Sequence, residues 1–316
     1  MPEARPTAGA PNVSTSGHPI VRTLTASRPS PDATRLEATA AEARTGTVYG
    51  FLAYASWGVL PLYFHALAPA PAFEILVHRI IWSLVFCLAL VLARRDTSWV
   101  RPVLRRPRRL LALTLAAWLL AFNWGIYIYA VATGNVVESS LGYFINPLIL
   151  VLMGVVILHE RLRRAQWAAV GLGAVAVVII SLAYGRLPWI ALSLACSFAA
   201  YGYIKKQAGA TIEALPSMTI ETAVLVPFAV AGIVWIERAG TGTFASEGTG
   251  HALMLLSTGV VTAVPLILFA AAARRVPLAT MGLLQFLAPV LQFICGVAIL
   301  GEKVPASRWV GFGLVW

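Results

Sequence analysis

The sequence predicts an all-α integral membrane protein of ten transmembrane helices, arranged as two inverted five-helix repeats with the last helix truncated. Composition, apolar runs of spanning length and a passage written twice predict it. The chain of 316 residues is 59% hydrophobic and 12% charged, with mean hydropathy +0.79. A water-soluble domain of that size needs far more polar surface. Residues 130–174 and 272–316 align without a gap at a constant offset of 142. The matches include Ala130/Ala272, Leu141/Leu283, Phe144/Phe286, Pro147/Pro289, Gly154/Gly296, Glu160/Glu302 and Trp167/Trp309. Five spans per copy is an odd number, so the second copy sits upside down relative to the first.

Apolar runs of about 20 residues cross a bilayer core. Residues 1–46, rich in Ala, Pro, Ser and Thr and without apolar periodicity, read as a disordered cytoplasmic tail. They lack the apolar core of a signal peptide. The first repeat is 47–184 and the second 188–316. Span one (47–67) is followed by a loop without Lys or Arg. Span two (72–93) is followed by Arg94, Arg95, Arg101, Arg105, Arg106, Arg108 and Arg109. Span three (110–132) again has no basic loop, whereas span four (136–158) precedes Arg161, Arg163 and Arg164. Spans five (166–184) and six (188–204) are short and joined through Arg186; Lys205 and Lys206 follow the sixth. Span seven (216–236) precedes Arg238, span eight (251–273) precedes Arg274 and Arg275, and span nine is 277–300. Span ten, from 306 on, covers only ~16 Å of a ~30 Å core, so the repeat reads as C-terminally incomplete.

Basic residues in alternate loops place both termini in the cytoplasm. Lys303 and Arg308, after span nine, would be external and break the pattern, with Glu302 a partial offset. The formal net charge of +11 is thereby a topology signal, not a nucleic-acid surface. Cys87, Cys196 and Cys295 lie inside spans at unrelated spacing, which gives no disulfide framework and no metal cluster.

The stretches EILVHRIIWS (74–83), NWGIYIYAV (123–131), ESSLGYFINPL (138–148), HERLRRAQW (159–167), SFAAYGYIKK (197–206) and GLLQFLAPVLQF (282–293) closely resemble the RarD proteins, bacterial EamA-type members of the drug/metabolite transporter superfamily. The resemblance runs from about residue 46 to the end. It implies ten helices in two inverted repeats, and export or exchange of small molecules across the inner membrane. His159 departs from the pattern, which has Gly before Glu160; Gly301 keeps it in the second copy.

Ionisable groups in hydrocarbon are costly and usually face a cavity or a partner. Glu74 and His78, four apart on span two, share a face and are candidate proton sites. Arg79 lies ~10 Å into that helix. It either binds an anionic substrate group or pins the fold through Glu74 or backbone carbonyls. Pro147 frees the carbonyl of Tyr143 in span four, and Pro289 frees that of Gln285 in span nine. Matched kinks in oppositely directed helices are where transporters bind, so the two prolines are candidate hinges and Tyr143, Asn146 and Gln285 candidate cavity residues. Bending for packing is the competing reading. Glu138, in the first turn of span four, caps that helix or gates it. Glu221, some five residues inside span seven, is a third candidate proton site. Asn123 offers an amide beside Trp124 and Tyr127, for substrate or for helix packing. Tyr201 and Tyr203 read as interfacial or packing aromatics.

No HExxH, paired-aspartate motif or nucleophile elbow marks an enzyme, and a P-loop is absent. The reading is a secondary, proton-coupled carrier without cofactor, working on a small-molecule substrate in the lipid bilayer. An uncoupled facilitator or exchanger is the alternative, ahead of a non-transporting structural or sensory protein. A homodimer is compatible with either.

Overall fold

The computed structural model describes residues 31–158, 187–208, 213–276 and 278–304, with scattered positions between 167 and 182 and Trp309. The loop of Arg161, Arg163 and Arg164, most of span five and nearly all of span ten lie outside the described residues.

Every described element is helical: α1 (Pro31–His65), α2 (Ala72–Arg94), α3 (Val100–Leu104), α4 (Pro107–Ala132), α5 (Val136–Leu158), α6 (Trp189–Ala208), α7 (Ala214–Ala239), α8 (Gly248–Ala273), α9 (Leu278–Leu284) and α10 (Leu287–Ile294), with a π-helical turn at Cys295–Ile299. Among the described residues five stretches are long and apolar enough to cross a membrane: Ala72–Arg94, Pro107–Ala132, Leu215–Ala239, Gly248–Ala273 and Thr280–Ile299. Large apolar side chains also point outward, as Leu92 (72% exposed), Trp235 (63%) and Leu283 (75%) do. A lipid-facing surface has that character.

Helix starts recur with the sequence repeat. Ala72 and Ala214 open α2 and α7, Pro107 and Gly248 open α4 and α8, and Val136 and Leu278 open α5 and α9. Each pair is separated by the repeat offset to within one residue. The chain is helical from Pro31, earlier than the expected end of the tail at residue 46. Glu37–Ala43 is dominated by Ala and Glu, strong helix formers that carry no apolar periodicity. Internal contacts separate Met1–Ala40 from Ala41–Trp316. Of the first unit, the described part is the opening of α1; the packing that follows belongs to the second.

Helix α2 packs against α7, α8 and α4, while α6 packs against α4 and α5. One buried cluster joins these helices, with Leu60, Phe64, Ile80, Leu120, Ile128, Leu194, Leu225 and Leu255 among its members. Small residues allow the closest crossings. A Cβ on Gly259 of α8 would lie 2.2 Å from the Trp82 carbonyl oxygen of α2, and one on Gly142 of α5 would lie 2.6 Å from that of Ala191 in α6.

The backbone differs at the two prolines. Pro147 sits inside an uninterrupted α5. Ahead of Pro289 the helix is broken at Gln285 and Phe286, between α9 and α10. Each proline removes the same N–H, so the difference lies in the surroundings. Leu141 and Ile145 are packed with Ala191, Ala195 and Phe293, which braces α5. Leu283 and Phe286 are exposed, while Met281 and Leu284 on the other face of α9 pack with Tyr54, Ala272 and Val276.

Candidate functional site

The sequence puts one cation, Arg79, into the middle of α2, and the packing decides its surroundings. Its side chain is 4% exposed. Nε donates to Thr262 Oγ1 of α8 at 2.8 Å, and the guanidinium lies 4.1 Å from the Trp124 ring centroid and 5.4 Å from that of Phe64. A desolvated cation over Trp is stabilised by ~2 kcal/mol. Nη1 finds no partner among the described residues. Among the described residues Arg79 forms no ion pair with Glu74, one of the two pins the sequence offered beside backbone carbonyls.

Glu221 is the buried anion, 2% exposed on α7. Lys205 Nζ lies 2.5 Å from its Oε1 and also donates to Ser217 Oγ. Ser217 donates to the same Oε1 at 2.8 Å, and Tyr201 to Oε2 at 3.3 Å. Lys205, read from sequence as a loop charge, lies inside α6, which continues to Ala208. By the repeat offset Glu221 is the counterpart of Arg79, and Lys205 that of Tyr63. Repeat-related positions thus carry opposite buried charges.

An unbroken series of rings connects them. From Phe64, over which Arg79 lies, centroids follow at 6.0 Å to Tyr127, 5.8 Å to Tyr143, 6.2 Å to Phe198 and 5.9 Å to Tyr201, the ring that reaches Glu221. Five helices supply that wall and its ends besides α2. Tyr143 donates to Asn123 Oδ1 at 3.2 Å, and Asn123 Nδ2 donates to the Leu194 carbonyl and Ser197 Oγ. Asn123 thereby fixes α4 to α6 and steadies the wall. Of the sequence candidates, Arg79, Asn123, Tyr143 and Glu221 come together.

The others separate. Glu74 accepts from Thr243 N–H and Oγ1–H and from Phe244 N–H, at 2.8, 2.9 and 3.1 Å. It fastens the α7–α8 loop to the start of α2. His78 stacks on Phe244 at 4.8 Å and accepts at Nδ1 from Trp82 Nε1. Glu138 accepts from Ile190 N–H at 3.0 Å, closing the start of α6. Gln285 lies at the helix break, partly exposed. Asn146, one turn beyond Tyr143, has Oδ1 buried without a partner among the described residues, as are Tyr127 Oη and Gln292 Oε1. Gln292, 3% exposed and donating to the Trp57 carbonyl, was not singled out in the sequence; a polar side chain one turn past Pro289 was the available signal. Glu302 accepts from Val136 and Val137 N–H at 2.5 and 2.8 Å, completing the start of α5. Among the described residues no three His, Cys, Asp or Glu side chains gather at a spacing for a metal ion.

Apolar helices with outward apolar faces, around buried opposite charges and a wall of rings, mark a multi-pass membrane protein. The chain belongs to the EamA-like transporter family, whose model matches residues 44–182 and again 187–316. It is 52% identical over 275 residues to "Protein RarD" of Streptomyces exfoliatus, covering 87% of each chain. It is 39% identical over 277 residues to "Protein RarD" of Escherichia coli (strain K12), covering 88% of this chain and 93% of that one. "Uncharacterized transporter YojE" of Bacillus subtilis (strain 168) is 39% identical over 285 residues, with coverages of 87% and 92%. The resemblance to the RarD proteins is borne out. A solved crystal structure shares the fold at TM-score 0.56 and 19% identity, covering 86% of this chain and 94% of that one.

Proposed function

We propose that this chain is a secondary transporter that moves small metabolites or drug-like molecules across the bacterial inner membrane by proton-coupled alternating access. Ten helices form two inverted five-helix repeats, with both termini in the cytoplasm. The equivalence of Arg79 and Glu221 carries this reading. Inverted repeats that exchange conformation present the same depth of the membrane to opposite sides in turn. A buried cation and a buried anion at that depth give the two half-cycles different chemistry. Arg79, whose Nη1 has no partner among the described residues, receives an anionic or electron-rich group of the substrate, while the rings from Phe64 to Tyr201 cover its apolar part. Glu221 takes up a proton when Lys205 withdraws.

The satisfied state of Glu221 favours a second reading. A carboxylate holding Lys205, Ser217 and Tyr201 needs no proton, and the carrier would then be an uncoupled facilitator or exchanger.

Proteoliposomes loaded with a cell-extract metabolite mixture test both. Efflux of individual metabolites is followed by mass spectrometry with and without a pH gradient. Gradient-dependent efflux of any metabolite supports the coupled carrier, and gradient-independent efflux supports the second reading. No movement beyond that of empty vesicles overturns transport. The inverted arrangement is checked by labelling single cysteines at Ser98 and Ser246 in a background lacking the native three. Labelling from the same side of the membrane would sink it.

A further inference from the structure

A groove of ≈ 720 Å³ lies where the end of α3, the start of α4 and the last turns of α6 meet, lined by Arg105, Arg106, Arg108 and Arg109, with Leu115 and Tyr203. We propose that this groove binds an anionic phospholipid, its phosphate on the arginines and its acyl chain along α4. Three observations carry the assignment. Among the described residues no carboxylate forms an ion pair with any of the four arginines. The one acid of the preceding loop, Asp96, is occupied by Ser98, whose O–H and N–H it accepts at 2.6 and 3.0 Å. Those bonds hold its carboxyl below the usual carboxylate range, and they keep it turned to its own loop.

The groove wall is also apolar, through Ala112, Leu115 and Ile204. A free phosphate has no use for such a wall. Beyond Leu115, the same face of α4 continues outward as Trp118 (45% exposed) and Phe122 (52%). An acyl chain whose headgroup sits on the arginines therefore finds a continuous apolar track. Basic pockets between membrane helices recognise anionic headgroups in this manner, and arginine forks pair with phosphate oxygens two at a time. Ile204 directly precedes Lys205, so the headgroup charge would sit one residue from the ion partner of Glu221.

Native mass spectrometry of the purified full chain, mixed with phosphatidylglycerol, phosphatidylcholine or inorganic phosphate, tests the assignment. Wild type retains phosphatidylglycerol over phosphatidylcholine, and millimolar phosphate does not displace it. Arg106→Gln/Arg109→Gln weakens retention about thirtyfold, two arginine increments at an anionic surface. Arg105→Gln/Arg108→Gln does the same, so either pair suffices if the other fails to fold. Arg94→Gln/Arg101→Gln removes equal charge from the same loop outside the groove and leaves retention unchanged. Equal loss in the control pair, equal retention of phosphatidylcholine, or displacement by phosphate would each overturn the lipid site.

Discussion

Arg79 of α2 and Glu221 of α7 occupy the same position in the two halves of the chain, on helices that pack against each other, and rings from Phe64 to Tyr201 run between them. Each charge is met differently. Arg79 is held by aromatic faces and one hydroxyl, Glu221 by a lysine and two hydroxyls.

Arg79→Leu is expected to insert and fold, and to lose transport. A charge at mid-membrane costs ~2.5–3.5 kcal/mol to insert on the translocon scale, and leucine removes that cost. Thr262 keeps its own bond to the Thr258 carbonyl, so no hydroxyl is orphaned. Thermal stability in detergent should hold or rise while vesicle efflux falls to background. A variant that melts early would return Arg79 to a structural role.

The pair at Glu221 should respond asymmetrically. Lys205 is 28% exposed and can turn to water when Glu221→Gln removes its partner, whereas Glu221 is 2% exposed and cannot. Lys205→Met therefore costs the ~3–5 kcal/mol of an uncompensated buried charge, and Glu221→Gln clearly less. The double variant should recover most of that loss. Melting curves of the three proteins decide it, and equal single-variant losses would contradict the burial.

Sequence reasoning reached the charges but not their relationship. Arg79 and Glu221 stood out because buried charge is costly, yet Arg opposite Glu scores as a mismatch when the copies are aligned. Glu74 looked like a transport residue for the same reason of cost, and Glu138 like a cap or gate of its own helix. Their role in closing the α7–α8 loop and the start of α6 depends on contacts between distant segments. Lys205 was assigned to a loop because hydropathy drops there, although the helix continues. Tyr201, read as packing, ends the row of rings. The helix starts were legible because the repeat spaces them, and the break ahead of Pro289 was not, since the two prolines are matched in the sequence.

For those prolines, Pro289→Ala should restore the missing hydrogen bond and draw Gln285 and Phe286 into a continuous helix. Pro147→Ala, in an already continuous α5, should change little. A cysteine at Phe286 should lose thiol-reagent accessibility in the Pro289 variant and keep it in the Pro147 variant. Equal responses would make the hinges equivalent after all.

Helix approach provides a test independent of transport. Gly259→Ala forces a Cβ against the Trp82 backbone and should cost about 1–3 kcal/mol or more by overpacking. Gly202 on α6 has open space around its Cβ position, and Gly202→Ala should stabilise by about 0.5–1 kcal/mol through helix propensity. Opposite shifts in melting temperature are expected.

The carboxylate of Glu302 that completes the start of α5 is 166 residues away along the chain. A ribosome adding ~5–20 residues per second needs roughly 8–33 s to reach it after Val136 is made. Through that interval the first amides of α5 must be served by water or headgroups near the bilayer surface. Helix α5 is thus threaded early and fastened late, and its final seating waits for the synthesis of Glu302. Released chains truncated before Glu302 should expose that helix end to protease, and chains that include it should protect it.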